Sequence, residues 1–305
     1  MHENITVGFD IGGTNLRAGV VNESGTLLKS WSVPTPNTAD GLEDAIVALV
    51  ADIRTEFAVQ AVGLAVAGFI DSERETVRFA PHLPWRDAPV RAILQDRLDI
   101  PVVIEHDANS AAWGERRFGA GRDAKDWVFF AVGTGIGATL MTDDAIYRGA
   151  FGTAPEFGHI VVVPDGRQCS CGKRGCLERY ASGTALPDTY QDLKGSYPTR
   201  LGDHPDGLAI TEAARAGDPL ARAVINDFAL WLGQGLSMVV DVLDPELIVL
   251  GGGVAEDADL YLDTARDRMA ETIVGAGHRP LATLRTAQLG SAAGMIGVSD
   301  LARQA

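Results

Sequence analysis

The chain has 305 residues, and at roughly 150 residues per domain this length predicts about two domains. Hydrophobic residues make up 46% and charged residues 22% of the chain, which is the balance of a folded globular protein and not of a disordered or fibrous one. The formal net charge of −15, with no run of Lys or Arg to offset it, disfavours nucleic acid and anionic membranes as partners.

Targeting signals are not evident in the sequence. Met1 to Asn4 lack the basic and apolar regions of a signal peptide, and no apolar stretch reaches the roughly 18 residues of a membrane span. We therefore expect a cytoplasmic protein with no membrane partner.

The N-terminal segment predicts three short strands with a glycine turn after the first. The predicted strands are Ile5–Asp10, Leu16–Val21 and Thr26–Val33. Residues 127–150 repeat this plan, with strands Trp127–Val132, Ala138–Met141 and Ile146–Arg148. The repetition predicts an internally duplicated architecture.

Helical and strand patterns alternate between the two repeated segments. The predicted elements are helix Leu42–Phe57, strand Ala61–Ala67, helix Val90–Leu98, strand Val102–His106 and helix Ser110–Phe118. Such alternation indicates an α/β sheet. Asp107 and Asn109 follow the strand that ends at His106, and the carboxyl ends of strands are where open α/β sheets bind ligands.

The C-terminal part contains one long helical pattern and few other clear elements. Residues 190–204 give no assignable pattern. Asp218-Pro219 opens an amphipathic helix that Asp244-Pro245 ends, and strand Glu246–Leu250 follows. A helix over Ser291–Ala302 closes the predicted set.

Three glycine turns each follow an apolar strand, at residues 10–15, 133–137 and 251–253. Glycine lets backbone N–H groups approach an anion, and Thr14 and Thr134 add hydroxyl donors, so the three turns together indicate a phosphate-binding cradle. Each turn taken alone is equally a tight hairpin. None has the Gly-Lys-Ser/Thr sequence of a P-loop or the pattern of a dinucleotide-binding turn.

All three cysteines of the chain lie within eight residues, at Cys169, Cys171 and Cys176. Three cysteines cannot pair completely as disulfides within one chain, and thiolates at this spacing are typical zinc ligands. His159, nine intervening residues upstream of Cys169, can complete a four-coordinate structural Zn²⁺ site. The alternative is three free thiols near a turn.

Five motifs in chain order resemble the signature set of the ROK family of bacterial sugar kinases and repressors, and most of all its actinobacterial glucokinases. They are Asp10-Ile-Gly-Gly-Thr14, Glu105-His-Asp-Ala-Asn109, Gly133-Thr-Gly-Ile-Gly137, Glu156-Phe-Gly-His159 and Cys169-Ser-Cys-Gly-Lys-Arg-Gly-Cys-Leu-Glu178. The likeness continues through Gly251-Gly-Gly-Val254 to Gln288-Leu-Gly290 and so covers essentially the whole chain.

The resemblance implies a duplicated α/β fold of the actin/hexokinase (ribonuclease-H-like) type with two domains around a cleft. The small domain would comprise residues 1–108 with the C-terminal helix at about 291–305, and the large domain, residues 109–290, would carry the zinc loop and nucleotide contacts. ATP would contact the glycine turns. The expected nucleotide-binding residues are Asp10, Gly12, Gly13, Thr14, Asn15, Gly133, Thr134, Gly135, Gly252 and Gly253. Asp10 is expected to position Mg²⁺. In family members the residues matching His159, Cys169, Cys171 and Cys176 bind zinc.

The implied reaction is phosphorylation of the 6-hydroxyl of a hexose, with glucose expected. Asp107 resembles the catalytic aspartate of the family and would accept the hydroxyl proton, although a lone Asp at this place is also a common helix cap. The implied sugar contacts are Gly68, His106, Asp107, Glu156, His159 and Glu178. Taken singly, Glu156 and Glu178 can be ordinary solvated charges, and Gly68 a strand-end turn.

One departure and several rival functions remain. Most family members have Asn where this chain has His106, which leaves the acceptor sugar open between glucose, N-acetylmannosamine and fructose. A polyphosphate-using kinase should have a basic channel, for which no Lys/Arg cluster is seen. A sugar-sensing repressor needs a helix-turn-helix module, and we expect no room for one in the nine residues before Asp10. We also expect a homo-oligomer.

Overall fold

A computed structural model describes residues 4–305, which divide into two compact units. Of the described residues, the first unit comprises 4–125, Thr139–Pro155 and Gln288–Ala305, and the second comprises Asp126–Ala138 and Glu156–Ala287. The domain division expected after residue 108 stays a prediction, because two compact units need not be two independently folding domains.

The two units contain thirteen strands and eight α-helices within residues 4–305. The strands are β1 (Ile5–Ile11), β2 (Asn15–Val21), β3 (Leu27–Pro34), β4 (Val59–Val66), β5 (Phe69–Ile70), β6 (Val77–Phe79), β7 (Arg86–Ala88), β8 (Val102–His106), β9 (Trp127–Val132), β10 (Ile136–Thr142), β11 (Ala145–Tyr147), β12 (Leu247–Gly251) and β13 (Thr283–Thr286). The helices are α1 (Ala39–Arg54), α2 (Val90–Leu98), α3 (Asp107–Phe118), α4 (Ala185–Leu193), α5 (Gly207–Arg215), α6 (Pro219–Leu243), α7 (Leu262–Thr272) and α8 (Ala293–Arg303).

Two five-stranded sheets follow the same plan. Their orders are β3-β2-β1-β4-β8 and β11-β10-β9-β12-β13. In each sheet three consecutive strands lie side by side, and two later strands extend the sheet in parallel from the first of the three. The duplicated architecture predicted from the glycine turns is therefore confirmed.

The core of the first unit forms because β1 and α1 each place apolar side chains on one face. Phe9 of β1 and Leu42 and Ile46 of α1 are fully buried in one cluster, which also includes Leu94 of α2. Burying a side chain of this size stabilises the fold by about 1.5–3 kcal/mol. Helix α8 packs against β1, β4 and α3, so the sheet carries helices on both faces.

In the second unit, α6 packs against α4, α5 and α7. Asp218 caps this helix by accepting a hydrogen bond from the backbone N of Ala221, and Pro219 occupies its first position, where no intrahelical N–H partner is needed. The helix ends at Asp244, which adopts the left-handed conformation.

Helix α6 also corrects one expectation about the membrane. Its length and composition meet the criteria for a bilayer span, although the sequence analysis found no such stretch. However, 61% of its apolar 18-residue window is buried within the protein, as in the core helix of a soluble protein.

Several elements differ from the sequence-based expectation. Helix α3 begins at Asp107 and not at Ser110, so Asp107 and Asn109 lie within its first turn. Helix α1 runs three residues earlier at both ends than predicted. The short sheet of β5, β6 and β7 was not predicted, nor were α4, α5, α7 and β13. The unassigned region 190–204 contains the end of α4 and the turns that follow it.

Candidate functional site

The carboxyl ends of three parallel strands meet at one edge of the first sheet. Asp10 of β1 lies beside Ala65 of β4, which in turn lies beside Glu105 of β8. This register brings Asp10, the residues after β4 and the start of α3 to the same edge, which is the usual place for ligands in a sheet of this type.

Asp107 is the first residue of α3 and lies at this edge. Its side chain is 43% exposed, and its Oδ1 accepts a hydrogen bond of 2.7 Å from the backbone N of Ala108. The residue in the N-cap position is His106, so Asp107 does not have the capping role that was the alternative explanation for it. With 43% of its side chain exposed, the carboxylate of Asp107 is accessible to a substrate hydroxyl.

His106 is in contact with the carboxylate of Asp107. Its Nδ1 lies 3.2 Å from Asp107 Oδ1, and the imidazole is about one-third exposed, at 33%. Gly68, by contrast, lies just beyond the end of β4, where an added Cβ would be 2.7 Å from the Cβ of Ala80. The structure thus places Gly68, His106 and Asp107 at the strand ends of the first unit.

Asp10 is mostly buried, and its environment disfavours the charged form. The pKa of Asp10 is raised from its ordinary 3.8 to about 6, chiefly by burial and also by the nearby charge of Asp107, with Arg17 partly opposing both. A bound cation would favour the ionised carboxylate, and carboxylate oxygen is a ligand that Mg²⁺ prefers. Asp10 therefore fits the expected role beside Mg²⁺.

The first glycine turn is exposed, and hydrogen bonds within the turn and from Thr35 fix its shape. Gly12 N donates to Asn15 O at 3.1 Å, Thr35 Oγ1 donates to Gly12 O at 2.6 Å, and Thr35 N donates to Thr14 O at 3.0 Å. Gly13 packs against the Cβ of His82. These contacts shape the turn while Gly13, Thr14 and Asn15 stay open to a ligand.

In the second unit, the turn after β9 is built together with Glu178. Glu178 Oε2 accepts a hydrogen bond of 2.8 Å from Ile136 N and lies 2.3 Å from the position a Cβ on Gly135 would occupy. Thr184 Oγ1 donates to Thr134 O at 2.7 Å, and Gly183 N donates to Gly133 O at the same distance. A side chain at position 135 would thus displace Glu178.

The third glycine turn borders a cavity. Gly252 has a φ of +82° and would place a Cβ 2.4 Å from the carbonyl oxygen of Val132, so only glycine fits there. Gly253 and Val254 line an apolar cavity of about 170 Å³ in the second unit. Its other walls come from the region between Gly183 and Tyr261: Gly183, Leu186, Gly207, Leu208, Thr211, Ile225, Phe228, Asp257, Leu260 and Tyr261.

The three cysteines and His159 form one cluster in the second unit. Their ligand atoms all lie within 4.8 Å of one another, with Cys169 Sγ 3.7 Å from His159 Nδ1 and Cys171 Sγ 3.6 Å from Cys176 Sγ. Ligands of a tetrahedral Zn²⁺ ion lie roughly 3.5–3.8 Å apart, so the donor set fits zinc. All three cysteines are free of disulfides. Burial and the adjacent thiols raise the pKa of Cys176 to about 12, because both disfavour the thiolate, and a divalent cation bound to the sulfur would offset that cost.

His159 and Glu178 connect the cluster to the other expected sugar contacts of this unit. The His159 ring places Nδ1 toward Cys169, and its Nε2 lies 3.9 Å from Glu156 Oε2. Glu178 follows Cys176 in a short 3-10 turn, with Cys176 in the N-cap position. A metal held by the cluster would therefore fix the orientation of both side chains.

The structure reveals contributors that the sequence analysis missed. Leu208, Phe228 and Tyr261 line the cavity beside Gly253 but come from three separate elements, and no sequence signal links them. Thr184 supports the turn at Thr134 from 50 residues away. Only their proximity in the folded chain identifies them.

Comparisons with known proteins agree with this geometry. The ROK family profile matches residues 6–305. The glucokinase of Streptomyces coelicolor is 42% identical, with the alignment covering 98% of each chain. The ROK family glucokinase of Streptomyces griseus, whose crystal structure is a complex with glucose and AMPPNP, is 43% identical with a TM-score of 0.87, covering 99% of this chain and 100% of that one. The ROK hexokinase of Thermus thermophilus is 32% identical with a TM-score of 0.81, covering 98% of both chains.

These likenesses extend over nearly the full length of the chain. The fold is accordingly that of the actin/hexokinase-like sugar kinases, and the chain belongs to the ROK family.

Proposed function

We propose that this protein is an ATP-dependent glucokinase that forms glucose 6-phosphate. The observation that carries the proposal is the exposed carboxylate of Asp107 at the strand ends near Asp10, in a chain similar over 99% of its length to a glucokinase solved with glucose and AMPPNP. Phosphoryl transfer needs an aligned acceptor hydroxyl, a base and a neutralised phosphate, and little covalent work from the protein.

Asp107 is the proposed base. It would accept the proton of the sugar 6-hydroxyl as the oxygen forms a bond to the γ-phosphorus of ATP. The bond between that phosphorus and the β–γ bridging oxygen breaks in the same step, and ADP leaves. Glucose 6-phosphate and ADP are the products.

The proposed sugar contacts are those expected from the resemblance. In the first unit they are Gly68, His106 and Asp107, and in the second unit they are Glu156, His159 and Glu178. Carboxylates accept hydrogen bonds from sugar hydroxyls, and the Nε2 of His159 is the ring nitrogen directed away from the cysteines.

For ATP we propose the three glycine turns and the adjacent cavity. Backbone N–H groups of Gly13 to Asn15, of Thr134 and Gly135 and of Gly252 and Gly253 would contact the phosphates, while Gly12 N and Gly133 N donate within their own turns and so shape them. The apolar cavity beside Gly253 would hold the nucleotide base, since flat bases favour apolar walls. Asp10 would hold Mg²⁺ directly or through water, and that ion, when bound, neutralises phosphate charge.

The cluster of His159, Cys169, Cys171 and Cys176 is proposed as a structural zinc site. Four protein ligands leave no open position for a substrate, which distinguishes it from a catalytic zinc site. A cytoplasmic location and a homo-oligomeric state complete the proposal.

An assay of ADP release over a panel of sugars tests the proposal. We expect glucose to give the largest kcat/KM, with N-acetylmannosamine and fructose far behind, and ³¹P NMR to show the phosphate on O6. Replacing ATP by polyphosphate should abolish transfer. His106→Asn, which restores the commoner family residue, should keep glucose turnover and shift sugar affinity by about 1 kcal/mol. A sugar-dependent ADP release that favours N-acetylmannosamine would replace the acceptor but keep the kinase, whereas sugar binding without transfer would favour a sensor.

A further inference from the structure

A buried carboxylate, Glu105, lies directly before His106 and Asp107 at the end of β8. Its side chain is buried, with 2% of the residue exposed, and both carboxylate oxygens accept hydrogen bonds. Its Oε1 accepts hydrogen bonds from His106 N at 3.0 Å and from Asn109 Nδ2 at 2.9 Å. These two donors lie on either side of Asp107, so the carboxylate holds the turn from which Asp107 projects.

The second oxygen of Glu105 is bound by Arg148. Arg148 Nε and Nη2 donate to Oε2 at 3.0 Å and 2.6 Å. A carboxylate buried this deeply is costly to ionise unless it is paired, and charge-assisted hydrogen bonds from a guanidinium are the strongest available compensation. The position of Glu105 therefore depends on Arg148.

Further contacts make Glu105 a junction of three segments of the first unit. Arg74, in the turn between β5 and β6, places Nη1 3.8 Å from Glu105 Oε2. Asn109 is fixed in turn by Thr139, whose Oγ1 donates to Asn109 Oδ1 at 3.0 Å. A hydrogen bond from Ala154 N to Arg148 O joins the two ends of the loop at residues 148–154. The start of α3, the β5–β6 turn and the segment after β11 thus converge on one carboxylate.

We propose that Glu105, held by Arg148, is a positioning residue for Asp107. The inference rests on the proposed function of Asp107 as the base and goes further by naming the groups that aim it. Neither side chain would touch the reacting atoms. A displacement of about 1 Å in a reacting group can cost roughly 10²-fold in rate, so a loosened α3 turn should lower turnover while leaving ATP binding intact.

The stability of the fold alone does not require a buried ion pair between Glu105 and Arg148. A buried ion pair contributes little net stability compared with well-packed apolar residues of similar volume, because both charges must be desolvated. What the pair does supply is a fixed geometry at the residues flanking Asp107. This distinction defines the experiment.

The test compares Glu105→Gln and Arg148→Gln with a matched control on α3, the helix that begins at Asp107. Like Glu105, Glu115 of α3 is a buried carboxylate, but it accepts hydrogen bonds from Ala120 N and from the backbone at 288 and 289. It lies eight residues from Asp107, about 12 Å along the helix. We expect Glu105→Gln and Arg148→Gln to lower kcat at least tenfold, with KM for ATP changed less than threefold. Glu115→Gln should lower the melting temperature and leave kcat unchanged.

Combining each variant with Asp107→Asn separates positioning from a general structural effect. Because Glu105 acts through Asp107, Glu105→Gln should cause no further loss of kcat once the carboxylate at 107 is gone. Equal losses in both backgrounds, or an unchanged kcat in Glu105→Gln, would overturn the inference. If Glu105→Gln does not fold, Arg148→Lys and Arg148→Gln carry the same comparison. Near-normal turnover in Asp107→Asn alone would instead refute the proposed role of Asp107 as the base, and an absence of glucose-dependent ADP release in the wild type would refute the proposed function.

Discussion

Glu178 Oε2 accepts a 2.8 Å hydrogen bond from the backbone N of Ile136, so one carboxylate contacts the residue that follows the second glycine turn. Glu178 is also two residues from Cys176. The cysteine cluster, a proposed sugar ligand and a proposed phosphate turn are thereby linked within the second unit, and changes in one should be measurable in the others.

Removing a cluster ligand should affect the metal and the sugar together. We predict about one zinc per chain in purified protein, and loss of that zinc in Cys171→Ala. The variant should also melt at a lower temperature and bind glucose more weakly, because His159 and Glu178 lose their support. Ser170→Ala, an exposed neighbour in the same loop, serves as the control for elemental analysis and calorimetry. Active wild-type protein that contains no metal would contradict the zinc site.

Glu178→Gln should weaken glucose binding specifically. The amide can still accept from Ile136 N, but its NH₂ group cannot accept a hydrogen bond from a sugar hydroxyl. Since hydrogen bonds to charged groups contribute about 1.5–3 kcal/mol, KM for glucose should rise at least tenfold while KM for ATP stays within about threefold. The exposed Glu271→Gln of the same unit is the control. An unchanged glucose KM would remove Glu178 from the sugar contacts.

Leu208 offers a test of the nucleotide cavity. Its side chain lines the cavity beside Gly253 and is 67% exposed, so truncation should cost little stability. We expect Leu208→Ala to raise KM for ATP by about 3- to 10-fold through lost apolar burial, with KM for glucose unchanged. Val242→Ala, an exposed apolar residue on α6, should change neither constant. If Leu208→Ala raised only the KM for glucose, this cavity would not be the binding site of the nucleotide base.

Asp10 should make the ligand-free protein less stable as the pH rises. Its pKa of about 6 in the folded protein exceeds the ordinary 3.8, so the folded state binds more protons than the unfolded state between these values. The stabilisation is complete below about pH 4 and is lost as the pH rises through 6, at about 1.4 kcal/mol per pKa unit or roughly 3 kcal/mol in total.

Asp10→Asn removes this titration. In urea unfolding without nucleotide or Mg²⁺, the variant should gain stability relative to the wild type between pH 4.5 and 7, and it should bind MgATP poorly at pH 7. A stability difference that is constant across this range, or that shrinks as the pH rises, would refute the assignment of the shift to Asp10.

Much of the fold could be predicted from local sequence because its strands are apolar runs ended by glycine turns. Strands β8 and β9 and helix α2 match the prediction to the residue. Helix α3 was predicted to start late, since the first turn is stabilised by Glu105 from the preceding strand and not by an N-cap side chain. Strands β5 and β6 are two and three residues long, and they form by pairing with each other, as between Phe69 and Phe79. Because they are so short, no local sequence pattern predicts them.

The site shows the same division between local and long-range information. Asp107 and the cysteine cluster stand in short motifs, which a sequence displays directly. Arg148, by contrast, reaches Glu105 from 43 residues away, and the cavity beside Gly253 is assembled from α5, α6 and the turn before α7. Contacts of that kind depend on the packing of the folded chain.

The most direct test of the central claim compares wild type with Asp107→Asn in glucose-dependent ADP release, alongside glucose binding by calorimetry. The account predicts that the wild type releases ADP on addition of glucose and that Asp107→Asn is slower by at least about 10²-fold, the usual cost of losing a general base, with glucose affinity within about threefold of wild type. Turnover by Asp107→Asn close to that of the wild type would contradict it.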